Sequence, residues 1–126
     1  MLIDCIFVGL GGFLGSILRY LFGYIPFLKS EHFPFATLIV NFLGAILISI
    51  IAEISKKTNM ISPRTELFLK VGICGGFTTF STFSLETMSL FKDEKILLGS
   101  GYALCSVVLC LCGILLGKFI VHCFAA

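Results

Sequence analysis

Two charge-free apolar runs constrain this chain more than any other feature. Residues 33–52 carry no charged side chain over 20 positions, and residues 96–117 carry none over 22. A helix needs about 20 predominantly apolar residues to cross a bilayer core, so each run reads as a full span. Residues 5–18 form another charge-free stretch; Arg19 ends it, and the apolar character then resumes as far as Leu28. The first span therefore carries Arg19 near its end, with the guanidinium expected to reach up to the interface. A fourth run, residues 71–85, is only 15 long.

Lipid is the solvent this composition requires. Hydrophobic residues make up 58% of the 126, charged residues 13%, and the mean hydropathy is +1.10. A water-soluble fold of this size has too few polar groups to cover that much apolar surface. Disorder, a nucleic-acid-binding arm and an ordinary cytosolic enzyme are excluded, and a net charge of +2 is too small to argue for an acidic partner. Four spans use about 80 residues. What remains is short loops from Pro26 to Pro34, Ser55 to Thr65 and Lys92 to Lys95. The expected fold is an all-α integral membrane domain over residues 1–126, with spans at about 4–24, 33–54, 66–90 and 96–119. The opening stretch MLIDCIFVGLGG has an acid and no basic region before its apolar run. It reads as a retained helix rather than a signal peptide. A lone four-helix unit makes a poor pore, which points to an oligomer.

The third run is the anomaly. Fifteen helical residues span about 22 Å, short of a hydrocarbon core of about 30 Å. Its centre reads GGFTTFSTFS from Gly75 to Ser84, with five hydroxyls among the seven residues after Phe77. Adjacent glycines favour a break, so the helix is expected to be interrupted from Gly75-Gly76 to Thr79. Irregular backbone at membrane depth survives only inside protein or beside water, and such breaks carry ion sites. The plainer alternative is a Gly-kinked packing helix whose hydroxyls bond back to its own carbonyls.

Charge gives little orientation. One end counts Lys56, Lys57, Arg64 and Lys118; the other counts Lys29, Lys92 and Lys95, with Arg19 close by. The positive-inside rule has almost nothing to act on. Insertion both ways, with opposed copies pairing about a two-fold axis, and a single weakly biased orientation both remain open.

Other features have bland readings beside sharper ones. Gly11-xxx-Gly15 and Gly113-xxx-Gly117 are small-xxx-small patterns that let helices approach closely. Asn41 sits inside the second span, where an amide needs partners. It could donate to an anion or tie two helices together. Phe80 and Phe83, three apart, share a helix face. They are packing rings, or ring edges whose positive rim can face an anion. The six cysteines show neither zinc spacing nor a disulfide framework. No paired carboxylates or nucleophile–base pair appears, so the chain is not read as an enzyme.

Three segments carry a resemblance. They are Gly11-Gly12-Phe13-Leu14-Gly15-Ser16-Ile17-Leu18-Arg19-Tyr20, Phe33-Pro34-Phe35-Ala36-Thr37-Leu38-Ile39-Val40-Asn41, and Gly75 to Glu86. Together with the four-span layout, they make the sequence closely resemble the small bacterial fluoride channels of the Fluc, or CrcB, family. Ala36, where the family often has Gly, is a small-for-small departure. The resemblance implies an antiparallel, dual-topology homodimer in the bacterial inner membrane, with two anion pathways and passive fluoride export. It implies ring edges from Phe80 and Phe83, amide protons from Asn41 and hydroxyls from Ser81 and Thr82 along the anion path. It adds Ser106 on a polar track of the last helix, thinned by Cys110. It implies a structural sodium ion held by the carbonyls of Gly75 and Thr78, and vestibule roles for Arg19 and Glu86. Fluoride over chloride is an implication of the resemblance alone. The runner-up reading is a small four-helix multidrug or cation exporter. It is disfavoured because the only acid near the first span, Asp4, stands at its start, away from mid-membrane. A structural membrane subunit would leave the Thr/Ser/Phe cluster without a purpose.

Overall fold

Lipid-facing helices need their ends tied, and the chain supplies side-chain ties at several of them. The structure is a computed structural model, and it describes residues 1–125. Helix α1, Leu2–Phe22, has Asp4 in its first turn and Arg19 in its last, both favourable to the helix dipole. A single 3₁₀ turn at Pro26–Leu28 leads to α2, Phe35–Lys57, which follows Pro34 and ends on Lys56 and Lys57. Thr58 closes α2 by donating its backbone N–H and its Oγ1 to the Ile54 carbonyl, both at 2.9 Å.

The next helix begins on Ser62, whose Oγ accepts from the Thr65 N–H at 3.2 Å, with Pro63 in the first turn. Pro63–Glu66, a π-helical stretch Leu67–Cys74 and Gly75–Phe77 follow one another as α3, residues 63–77. Helix α4 is Phe80–Lys92, and α5 is Ile96–Phe124. No strand occurs among the described residues. Helices α1, α2 and α5 are long and apolar enough to cross a membrane. Neither α3 nor α4 is long enough alone, since 15 helical residues reach about 22 Å.

Two glycine-lined seams hold the helices together. A Cβ at Gly11 would strike the main chain at Phe68 and Gly72, and one at Gly15 would strike Ile73 and Phe77. The paired residue numbers rise together, so α1 and α3 run parallel. Asp4 and Arg64 join their starts, with Nε to Oδ1 at 3.3 Å. In the second seam Gly113 faces Phe42 and Ala45, and Gly117 faces Ile46 and Ser49, so α2 and α5 also run parallel. Ser49 pins that seam by donating to the Ile114 carbonyl at 2.6 Å. The small-xxx-small patterns thus pack as the sequence suggests.

Little is buried beyond the seams. Tyr102, Val40 and Cys74 are the largest fully enclosed side chains, while Leu97, Phe27 and many others face outward. Lys70 lies about two turns inside α3, bonded to Glu66 one turn earlier at 2.6 Å. It belongs to the end that holds Arg64, and it extends the cationic count there.

Candidate functional site

Between α3 and α4 the chain leaves the helix at Thr78 and Thr79. Their φ, ψ values are −81°, 160° and −154°, 117°, both extended. β-Branched residues tolerate that conformation well. The glycines do not make the interruption. Gly75 is helical at −64°, −39°, Gly76 lies within the helix, and no glycine has positive φ among the described residues. Gly76 serves approach instead, its missing side chain letting it sit on the Gly12 main chain. The expected interruption from Gly75 to Thr79 therefore narrows to its threonine end.

An interrupted helix exposes backbone polar groups that lipid cannot satisfy. Side chains meet that need here. Asn41 on α2 clamps Thr79 from both sides, its Oδ1 accepting from the Thr79 N–H at 2.8 Å and its Nδ2 donating to the Thr79 carbonyl at 3.0 Å. Thr79 caps α4 by accepting from the Thr82 N–H at 3.2 Å. Thr78 donates its N–H and Oγ1 back to the Cys74 carbonyl, at 3.0 and 2.8 Å. Arg19 Nε donates to the Gly76 carbonyl at 3.1 Å. The guanidinium thus turns inward to the end of α3 rather than up to the interface, and a cation suits that negative helix end. The carbonyls of Gly75 and Thr78 receive no hydrogen bond among the described residues. Gly75 also faces open space, where an added Cβ would touch nothing.

Two cavities touch this break, and a third adjoins one of them. The first, about 410 Å³, is lined by Asn41, Thr78, Thr79, Phe80, Phe83 and Ser106 together with apolar residues and Cys110. Ser106 Oγ is buried there with no partner, an exception among buried polar groups. Phe80 and Phe83 stand with centroids 5.5 Å apart, and Phe80 is 78% exposed. A second cavity, about 240 Å³, holds Arg19, Tyr20, Thr37, Thr79 and Thr82. The third, about 770 Å³, opens among the charged residues Lys29, Glu31, Asp93 and Lys95, with Glu86 in its wall. Ser81 lines none of these three; it is exposed, with its hydroxyl 3.4 Å from that of Thr79.

Glu86 is better held than its place near a span end suggests. Thr37 Oγ1 donates to Oε1 and the Tyr102 hydroxyl to Oε2, both at 2.7 Å. Tyr102 is 0% exposed and packs against Phe33 and Phe83. Sequence reasoning missed Thr37 and Tyr102 as partners of this carboxylate. One signal was available: a tyrosine in a charge-free span needs an acceptor for its hydroxyl.

Residues 6–118 match the family described as CrcB-like protein, Camphor Resistance (CrcB). The chain belongs to the CrcB family. Among its relatives, the fluoride-specific ion channel FluC of Clostridium novyi (strain NT) is 46% identical over 118 residues, covering 93% of this chain and 92% of that protein. FluC of Ruminiclostridium cellulolyticum is 40% identical over 126 residues, covering 99% and 97%. FluC of Clostridium perfringens (strain ATCC 13124) is 50% identical over 99 residues, covering 78% and 77%. The CrcB match takes in both seams, the break and the three cavities. With three helices able to cross a bilayer, this CrcB chain is a multi-pass membrane protein.

Proposed function

We propose that this chain is a passive, fluoride-selective channel that lowers cytoplasmic fluoride, and that it is not an enzyme. The observation that carries a conducting role is Ser106 Oγ, buried and unpartnered in the cavity beside the break. The ion's identity rests on the FluC relatives. Fluoride holds its water tightly, so a pore must replace that shell with donors yet release the ion. The Ser106 cavity offers the Ser106 hydroxyl, the Asn41 amide proton not used on Thr79, and the rims of Phe80 and Phe83. None is a fixed cation, which favours passage over capture. Ser81 and Thr82 supply further hydroxyls where α4 begins.

The working unit is an antiparallel homodimer in the bacterial inner membrane. In this reading α3 and α4 together make one crossing, so each chain crosses four times. Two features support pairing. The Ser106 cavity is open, with Phe80 exposed at its wall, and Gly75 is exposed. The cation count, Lys56, Lys57, Arg64, Lys70 and Lys118 at one end against Lys29, Lys92 and Lys95 at the other with Arg19 turned inward, is a small bias that leaves opposed insertion open. A resident sodium fits the residues present. The free carbonyls of Gly75 and Thr78 are hard oxygen donors of the kind that bind it, and a second copy would bring its own pair. Bound there, sodium supplies fixed positive charge beside the anion path. Glu86 and Arg19 belong to the approach from the charged mouth.

Purified protein in liposomes tests the function. Fluoride efflux that is driven by voltage, far exceeds chloride efflux and carries no proton is the expected result. No flux from properly inserted protein overturns the reading. C-terminal tags are expected on both faces of the membrane; a single face overturns opposed pairing alone.

A further inference from the structure

Cys110 is the one cysteine that lines any of the three cavities. Cys74 is sealed in the core, and Cys5, Cys105, Cys112 and Cys123 are exposed outside those cavities. At about 3.6 residues per turn, Cys105 and Cys112 stand about 140° and 160° round α5 from Cys110. The thiol of Cys110 is therefore set apart from the others by position. It is half-buried, and its neighbours in the wall include Ala45, Ile48, Val107 and Leu111. No His, Lys or Arg lines that cavity to take the thiol proton. Alkylation and disulfide exchange, which need a thiolate nucleophile, are disfavoured there. A soft metal is different, because sulfur binds it strongly enough to displace the proton.

A second feature of the cavity points to what such a metal would carry. Ser106 lies four residues before Cys110 on the same face of α5, with Cβ atoms about 5–6 Å apart. Its Oγ is buried, lines the same cavity and has no hydrogen-bond partner. An idle buried hydroxyl is rare and calls for an acceptor. A soft sulfur one turn from a spare O–H donor suits a thiophilic metal that brings an anion with it.

We propose that Cys110 and Ser106 form a site for a thiophilic metal ion of the mercuric class, and that its occupation closes the cavity to anions. With mercuric chloride, an Hg–S bond to Cys110 forms and one Hg–Cl bond breaks. The thiol proton and the displaced chloride leave as free ions. Mercury stays Hg(II), so no electron is transferred. The chloride kept on mercury accepts the Ser106 proton. The adduct thus occupies the hydroxyl and fills the space between it and Phe80 and Phe83. Closure rests on the channel reading, whereas the metal site stands on the cavity alone.

The test uses the full-length chain in liposomes, with fluoride efflux measured before and after mercuric chloride and each variant compared with its own untreated rate. Efflux from the unsubstituted protein is expected to fall at least tenfold and to return on addition of dithiothreitol. Cys105→Ser and Cys112→Ser are expected to be blocked to the same extent. Cys110→Ser is expected to keep its efflux within twofold. A Cys110→Ser protein that is still blocked overturns the proposal, and so does a block that dithiothreitol does not reverse, since that means denaturation. Ser106→Ala is expected to remain blockable at higher mercuric chloride, and an unchanged dose dependence removes Ser106 from the site. Crystals of the unsubstituted protein soaked in mercuric chloride supply a readout independent of the variants. Anomalous density at Cys110 Sγ inside the cavity supports the site, and density confined to Cys5, Cys105, Cys112 and Cys123 overturns it. Should the unsubstituted protein pass no fluoride, the channel reading fails, and the mercury density still decides the metal site.

Discussion

The α1–α3 seam and the Thr78–Thr79 break adjoin each other, yet they solve opposite problems. In the seam, Gly11 and Gly15 bring main chain against main chain, and polar side chains enter only at its two ends, through Asp4–Arg64 and Arg19. At the break, Asn41, Thr79 and Arg19 spend polar side chains on freed backbone groups. The seam is held by shape and the break by hydrogen bonds. The difference shows where function can reside. A seam has no spare donors to offer an ion, whereas a break satisfied by side chains leaves some over: the Ser106 hydroxyl, the second Asn41 amide proton and the Arg19 terminal nitrogens.

Substitutions can separate the two solutions. The largest effect is expected from Asn41→Leu, which strands the Thr79 N–H and carbonyl together. At about 1–3 kcal/mol per buried unsatisfied group, the loss is about 2–6 kcal/mol in thermal unfolding, with flux abolished. A variant as stable as the parent would show that water or another group holds Thr79. Next comes Gly15→Ala in the seam, where the added methyl meets the α3 main chain. Overpacking of this kind costs about 1–3 kcal/mol, read as a lowered melting temperature in detergent. Ser106→Ala separates function from packing. It removes an unpartnered buried hydroxyl, so stability is expected to hold or rise by up to about 1 kcal/mol. Fluoride flux is expected to fall several-fold, and unchanged flux would take Ser106 off the anion path. Phe80→Ile is expected to cut flux while the dimer stays assembled. The smallest effect is expected from Gly9→Ala, where nothing lies within 4 Å of the added Cβ. Helix propensity alone then favours the variant by up to about 1 kcal/mol. A large loss at Gly9 would mean that a second copy packs there.

Much of this was legible in residue order. The two long charge-free runs became α2 and α5, and both small-xxx-small patterns became seams. The hydroxyl-rich third run is split as its length demanded. The glycines misled in one respect. A Gly pair signals both close approach and backbone freedom, and sequence cannot say which is used. Here Gly12 sits against Gly76, so approach is the use. Asn41 carried a similar ambiguity between anion donor and tie. Its bidentate hold on Thr79 makes it a tie, and one proton remains over.

Sequence by itself determined the solvent, the number of apolar runs and the position of the hydroxyl cluster. Each follows from local composition, because burying a charge in lipid costs too much to be hidden by folding. Tertiary structure alone decided which groups meet: Asn41 with Thr79 across 38 positions, Glu86 with Thr37 across 49, and Arg19 with Gly76 across 57. Those pairings come from helices laid side by side. The donors left over, on which the anion path depends, can be found only after the paired ones are known.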